Sequence, residues 1–346
     1  MAGPRVEVAA SSRPCDVYLV KAWRVYGLGE PRDVMNLEEV LVPQPDAGQM
    51  LVRVLGAAAN FADALVCRGL YQVKPPLPFT PGLELCGEVA ALGPGTTGFA
   101  VGDRVIGSSV PPAGGFAELA LMDAATTFPA PHSLSDVQAA AFYIAYQTGW
   151  LGLHHRAHLQ AGETLLVHAA AGGVGSAAVQ LGKAAGARVI GVVGGPEKAE
   201  VARTLGADVV VDRHTDDFVE VVKDVTGGRG ADVVYDPVGG DAYQRSTKCI
   251  AFEGRILVVG FAGGQIQSAG LNHALVKNYS IVGLHWGLYL TKNPALVRAC
   301  HEELSKLAAD GVVRPLVSER LTLDAVAQGL QRLADGTTVG RVVFVS

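Results

Sequence analysis

No two cysteines in this chain stand at a spacing that would close a disulfide or clasp a metal. The five (Cys15, Cys67, Cys86, Cys249, Cys300) are scattered without a C-x-x-C pair, which fits a reducing compartment and argues against a cysteine-built zinc site. Positive charge is also short. With 28 Lys and Arg against 33 Asp and Glu, the formal net charge is −5, and the basic footprint of a nucleic-acid binder is missing. There is no apolar h-region for secretion, no internal repeat and no low-complexity tract. Thr164 to Gly182 contains no Asp, Glu, Lys or Arg, yet its four glycines and its polar Ser176–Gln180 stripe make it a poor membrane span. What remains is a chain of 346 residues, 49% apolar and 18% charged, long enough for two α/β domains and expected in the cytoplasm.

The chain is organised around Thr164 to Val193. Thr164-Leu-Leu-Val-His168 has strand length and composition, and Arg188-Val-Ile-Gly-Val-Val193 is a second such run. Between them Val174, Ala178, Leu181 and Ala185 recur at helical spacing, one stripe facing a sheet. The turn Ala169-Ala170-Ala171-Gly172-Gly173-Val174-Gly175 thus lies where a strand hands over to a helix. The first N–H groups of a helix lack internal partners and can receive a pyrophosphate. Gly172 lets the backbone approach the phosphates, and Gly175 lets the helix pack close to the strand. Ala170, Gly172 and Gly175 keep the spacing of the dinucleotide fingerprint, with Ala in its first position.

Residues 1–20 read as a polar extension. Arg5, Ser11, Ser12 and Arg13 hint at a transit sequence, and Glu7 and Asp16 count against one. Residues 21–145 hold short strands punctuated by turns such as Pro43-Gln-Pro45 and Gly93-Pro94-Gly95, which suggests a β-barrel-like domain. Leu134 to Trp150 reads as one helix, with Ser133 or Ser135 as its cap. Over residues 146–284 strand and helix alternate. After the second strand come helix Glu197–Leu205, strand Ala207–Val211, helix Asp216–Val225, strand Asp232–Tyr235, helix Asp241–Phe252 and strands Arg255–Phe261 and Ser280–Leu284. That alternation means a doubly wound parallel sheet, with a nucleotide at the carboxyl ends of its strands. Residues 285–346 hold helices Ala295–Ala309 and Asp324–Ala334. Their last strand, Arg341–Val345, is apolar enough to need a sheet and is expected to return to the first domain.

NAD-preferring sites of this design carry an acid at the end of the second strand. Here that place reads Val193-Gly194-Gly195-Pro196-Glu197-Lys198. The glycines leave room for a 2′-phosphate, Lys198 offers it a positive charge, and Arg213 after the third strand offers another, so NADPH is the expected cofactor. Gly239, and Phe261 to Gly263, end the fourth and fifth strands and are expected near the nicotinamide. His168 ends the first strand as a core or near-cofactor residue. The remaining histidines, including His273 and His301, show no ligand spacing and are expected at the surface.

Asn60-Phe-Ala-Asp63-Ala-Leu-Val-Cys-Arg68-Gly69-Leu-Tyr71 resembles the signature of the zinc-free, zeta-crystallin-like quinone oxidoreductase branch of the medium-chain dehydrogenase/reductase superfamily. So do Pro81-Gly82-Leu83-Glu84 and Gly102-Asp103-Arg104-Val105, and the resemblance extends over the chain after residue 20. It implies a GroES-like catalytic domain joined to a Rossmann domain. By resemblance, the catalytic zinc ligands of the alcohol dehydrogenases fall on Asn60, Leu83 and about Ile144, none of which ligates zinc as Cys and His do. No metal site is therefore expected. Without that Lewis acid, the feasible chemistry is hydride delivery to an acceptor that is already electrophilic, a quinone or an enone. The resemblance places Asn60 and Tyr71 at the nicotinamide end, Asn60 holding the carboxamide or the acceptor oxygen and Tyr71 as anchor or donor. It places Thr148 against the cofactor and makes Asp63 and Arg68 a pair that shapes the loop. The alternatives are reduction of α,β-unsaturated ketones or enoyl thioesters, and a nucleotide-binding protein with little turnover. A homodimer joined along Ser280–Gly287 is expected by analogy.

Overall fold

The computed structural model describes residues 18–345, so the reading of residues 1–17 as an extension lies outside the described residues. Residues 18–20 already belong to the body of the fold, because β1 (Leu19–Val25) starts there and pairs antiparallel with β2 (Met35–Leu41) across the short α1 (Pro31–Val34).

Antiparallel pairing then takes over. β3 (Gln49–Ala58) leads into α2 (Phe61–Cys67), then β4 (Glu84–Leu92), β5 (Arg104–Ser108), β6 (Leu119–Asp123) and β7 (Phe128–Pro129). The sheet runs β3-β4-β5-β7, and β6 lies beside β3. Its core holds Met50, Val52, Leu85, Phe116 and Met122, the inward alternation that such strands require.

The expected helix over Leu134–Trp150 is two. Ser135, whose hydroxyl accepts the N–H of Gln138, caps α3 (Asp136–Ala140), and the chain turns at Ala141 before α4 (Tyr143–Trp150). The two pieces have different partners: α3 packs on β3 and β4, and α4 on the first helix of the parallel sheet, so a single straight helix could not serve both. A π-helical turn, Leu151–Arg156, follows.

The parallel sheet comprises β8 (Thr164–His168), β9 (Arg188–Val193), β10 (Val209–Asp212), β11 (Ala231–Asp236), β12 (Ile250–Val258) and β13 (Ser280–Gly283), in the order β10-β9-β8-β11-β12-β13. Strand order reverses at β8, which opens a crevice at the carboxyl ends. The crossovers are α5 (Gly173–Ala184), α6 (Pro196–Thr204), α7 (Phe218–Val225), α8 (Asp241–Ser246) and α9 (Leu271–Lys277). α8 stops well short of the expected Phe252, because Ile250 already pairs with Ala231 in the sheet.

The tail runs through α10 (Trp286–Lys292), α11 (Pro294–Ala309), β14 (Val317–Thr322), α12 (Val326–Ala334) and β15 (Arg341–Val345). As expected, β15 returns to the first sheet. It pairs antiparallel with β3 and parallel with β14, and Phe344 meets Phe116 edge-on at 5.2 Å between ring centroids. Among the described residues no helix is long and apolar enough to cross a membrane.

His301, expected at the surface, lies buried on α11 and stacks on Phe128 at 4.5 Å. Burial pushes its pKa down to about 4, with Arg298 adding to the effect and the Pro129 carbonyl opposing it. The folded ring is therefore neutral at pH 7, while the unfolded ring takes up a proton as pH falls below its ordinary value of 6.5. This contribution to stability is complete above that value and disappears as pH falls toward the folded pKa. Between pH 7 and 5 it should amount to about 2 kcal/mol. Urea unfolding of the native chain and His301→Gln at both pH values tests this; equal losses in the two proteins would rule His301 out.

Candidate active site

The handover from β8 to α5 has the geometry a phosphate needs. Ala169 sits at φ +51, turning the chain so that its carbonyl accepts the N–H of Gly172 at 2.8 Å. A Cβ on Gly175 would stand 2.1 Å from that carbonyl oxygen, so only glycine allows this approach of helix to turn. Gly172, the N-cap, has no side chain to bond the first N–H groups of α5. Ala170 is buried, its N–H on Val192 O at 3.0 Å, and Val174 is half-buried beside the turn. Over the turn lies a group that sequence reasoning missed: a Cβ on Gly173 would meet Arg341 Nη1 at 2.9 Å.

Arg341 opens β15 and is 4% exposed. Its guanidinium donates to Asn60 Oδ1 at 2.9 Å and to the fully buried Glu84 Oε2, and its own Nε has no partner. Glu84 opens β4. It accepts the Asn60 amide at 3.0 Å on Oε2 and the backbone N–H of Ile144 at 2.9 Å on Oε1. Asn60, the residue between β3 and α2, gives its other amide proton to Ala58 O at 3.2 Å. Both amide protons and the amide oxygen of Asn60, expected to hold the carboxamide or the acceptor oxygen, have partners within the protein, because Arg341 and Glu84 flank it.

Asp63 and Arg68 do not pair with each other. The Asp63 carboxylate accepts backbone N–H groups from Asn60 at 2.8 Å, Leu83 at 2.9 Å and Gly82 at 3.2 Å, tying α2 to β4. Its complete burial, with Glu84 adding to it, pushes its pKa up to about 7 against the pull of those donors. Arg68 reaches the other way and forks onto Glu30 at 2.9 and 2.7 Å. Tyr71 is half-buried against the first core, and burial followed by the charge of Asp63 raises its pKa.

Just past β9, a Cβ on Gly194 would stand 3.0 Å from Arg213 Nε and 3.1 Å from His214 Nε2, so both side chains lie over the small residue that follows the strand. Asp212 is close by, but its Oδ1 is taken by the N–H groups of Gly195 at 2.9 Å and His214 at 3.1 Å. Lys198 is directed elsewhere, donating to Gly336 O at 3.1 Å, because the loop after α12 comes down on α6. At the far end, the Gly239 N–H lies 2.9 Å from Asp236 Oδ1, and a Cβ there would meet Phe261 Cδ1 at 2.9 Å. The Gly263 N–H donates to Val238 O at 2.9 Å, so Gly239, Phe261 and Gly263 form one wall. Thr148 is buried on α4, where Gly149 lets α4 pack on Leu181 of α5. Its neighbour Gln147 accepts from Trp286 Nε1 at 3.0 Å and keeps a buried Nε2 without a partner.

The structure therefore gathers the turn at residues 170–175, Asn60 and the unforeseen Arg341 and Glu84 in one place. It gathers Arg213 at Gly194 in a second and leaves Lys198 turned aside.

Two family models match this chain: the alcohol dehydrogenase GroES-like domain over residues 46–132 and the zinc-binding dehydrogenase over residues 173–305. A quinone oxidoreductase-like protein 2 homolog of Nematostella vectensis is 40% identical over 298 residues, covering 86% of this chain and 81% of the relative. The quinone oxidoreductase of Rattus norvegicus is 32% identical over 319 residues, covering 90% and 92%. The solved Escherichia coli quinone oxidoreductase complexed with NADPH superposes with a TM-score of 0.88 at 29% identity, covering 94% of this chain and 100% of that one. Relatives of this identity match over most of their own length and over both sheets, and the chain belongs to the quinone oxidoreductases of the medium-chain dehydrogenase/reductase superfamily.

Proposed function

We propose that this chain is a zinc-independent, NADPH-dependent oxidoreductase that delivers hydride to a quinone or a similarly electrophilic carbonyl acceptor. The observation that carries this reading is the uncapped N-terminus of α5 lying under a buried guanidinium whose Nε has no partner. A pyrophosphate supplies acceptors to both, and the anion suits the helix end. Arg213 and His214 over Gly194 fit a 2′-phosphate, and Lys198 would have to leave Gly336 O to join them.

When bound, the dihydronicotinamide supplies the hydride. The chain's own residues do the rest. The α5 turn and Arg341 fix the phosphates. Gly239, Phe261 and Gly263 bound the strand ends where the ring would lie. Asn60, held by Arg341 and Glu84, keeps the loop before α2 in position. The Tyr71 hydroxyl, a phenol and so protonated at neutral pH, donates a hydrogen bond to the acceptor oxygen as negative charge builds on it. Zinc has no place in this scheme. Asn60, Leu83 and Ile144 supply neither thiolate nor imidazole, and Glu84 is already held by Arg341, Asn60 and the Ile144 N–H. Among the described residues no group of three or more His, Cys, Asp or Glu is placed to hold a metal.

Steady-state oxidation of NADPH and NADH with a panel of quinones and enones, with and without chelator, tests the proposal. NADPH oxidation with quinones, unaffected by chelation, is expected; no oxidation with any acceptor would refute it. In the same assay Arg213→Ala should weaken NADPH by about 1–3 kcal/mol, the size of a charge-assisted hydrogen bond, and leave NADH nearly unchanged. Equal losses for both nucleotides would take Arg213 out of the site.

A further inference from the structure

Gly194 follows β9, and the segment after β10 folds back over it. One carboxylate sets this geometry. Asp212 Oδ1 accepts the N–H groups of Gly195 at 2.9 Å and of His214 at 3.1 Å, which fixes the backbone beside Gly194 from both strands. Arg213 and His214 are thereby presented together. A Cβ on Gly194 would stand 3.0 Å from Arg213 Nε, 3.3 Å from Arg213 Nη2 and 3.1 Å from His214 Nε2. Both residues are exposed, and among the described residues neither side chain has a hydrogen-bond partner.

The charges around Gly194 come from two strand ends and one helix start. The Gly195 N–H, and after it the His214 N–H, hold the Asp212 carboxyl below its ordinary range, so it stays ionised. Asp216, just beyond His214, takes the Thr215 hydroxyl at 3.1 Å. Glu197 and Lys198 lie in the first turn of α6, and Lys198 gives its ammonium to Gly336 O. Arg213 is thus the one cation directed at Gly194, and Asp212 beside it cancels its charge. A phosphomonoester carries about −1.5 to −2 at neutral pH, which this balance does not match. Imidazole is the side-chain type among these that changes charge between about pH 5 and 8.

We propose that His214 is a specificity-determining residue: it takes up a proton from solvent when a 2′-phosphate binds over Gly194, so that the preference for NADPH over NADH grows as pH falls. This rests on the proposed place of the 2′-phosphate. The bound phosphate favours the charged ring, so the added affinity is complete at low pH and is lost as pH rises and the ring in the complex gives up its proton. NADH has a hydroxyl in that place and moves no proton at His214.

Calorimetric titration of the full-length protein with NADP+ and with NAD+ near pH 7.5, in buffers of different ionisation enthalpy, counts the protons exchanged. The two oxidised nucleotides differ only in the 2′-phosphate and withstand acid. A phosphate bound as its dianion can only release protons, so net uptake has to come from the protein. Uptake with NADP+ and none with NAD+ is expected, and the ratio of their dissociation constants should widen about fivefold between about pH 8 and 6.5, the size of an exposed ion pair. His214→Gln should abolish the uptake and flatten the ratio. His214→Lys, with a permanent charge, should keep the tight binding of NADP+ without uptake. No uptake in the native protein, or the same uptake in His214→Gln, would overturn the proposal. Arg213→Ala separates this failure from that of the placement. If it weakens NADP+ alone, the phosphate lies over Gly194 whatever His214 does; equal losses for both nucleotides would remove the phosphate from Gly194 and the proposal with it.

Discussion

Arg341→Ala should cost the folded chain about 3–5 kcal/mol, a large share of the stability of an ordinary domain. The guanidinium is 4% exposed and Glu84 is fully buried, so the substitution leaves a carboxylate inside the protein without its counter-charge. Asn60 Oδ1 loses its donor at the same time. The Ile144 N–H and the Asn60 amide still reach Glu84, but two neutral donors do not replace a cation. Removing both charges together is a different matter. Arg341→Met with Glu84→Gln should recover much of the loss, because the desolvation of both ions is then avoided. Chemical denaturation of the two single variants and the double measures each quantity. A loss below about 1 kcal/mol for Arg341→Ala would mean that the pair is solvated in solution.

That ion pair also marks the limit of what the sequence discloses. Where signals are local, the reading from sequence works. Pro196 at the start of α6, Gly206 behind it and the Ser135–Gln138 cap lie within a few residues of what they control. The strict alternation after residue 164 gives a parallel sheet, because each βαβ unit closes over a short span. The edge strands are less visible. β14 alternates half-buried and exposed positions, and β2 carries Glu38 and Glu39 inside a strand, so neither has an apolar run to announce it. The split between α3 and α4 depends on which sheet each piece packs against, which no spacing records.

Arg341 and Glu84 stand 257 positions apart, and each reads locally as the polar first residue of an apolar strand. One signal was available: two opposite charges, each opening a strand otherwise destined for the core, need each other. The same reasoning finds Asp63, an acid among apolar neighbours that must collect backbone donors. Lys198 is the opposite case. Its place after β9 reads locally as facing a phosphate, and the carbonyl that takes it belongs to a loop of the returning tail, which no local signal records.

Gly172→Val should abolish measurable nucleotide binding while leaving the fold nearly intact, and the contrast with Gly175→Val shows why. At Gly175 a Cβ would stand 2.1 Å from Ala169 O and 2.7 Å from its carbonyl carbon, backbone against backbone, so the start of α5 must move. Stability and binding should then fall together. At Gly172 the nearest atom to a Cβ is the same oxygen at 3.2 Å, and φ is −89°, an ordinary value for any residue. A few tenths of an ångström of relaxation accommodates the side chain, so the melting temperature should shift by only about a few degrees. The branched carbons then occupy the space beside the N–H groups of the first turn, and a phosphate cannot come within hydrogen-bond distance of them. NADPH affinity should drop at least about a hundredfold, close to 3 kcal/mol, measured by fluorescence titration beside a thermal melt. Native affinity in a well-folded Gly172→Val protein would mean that the phosphates lie elsewhere, and the uncapped helix and the orphaned Arg341 Nε would need a different ligand.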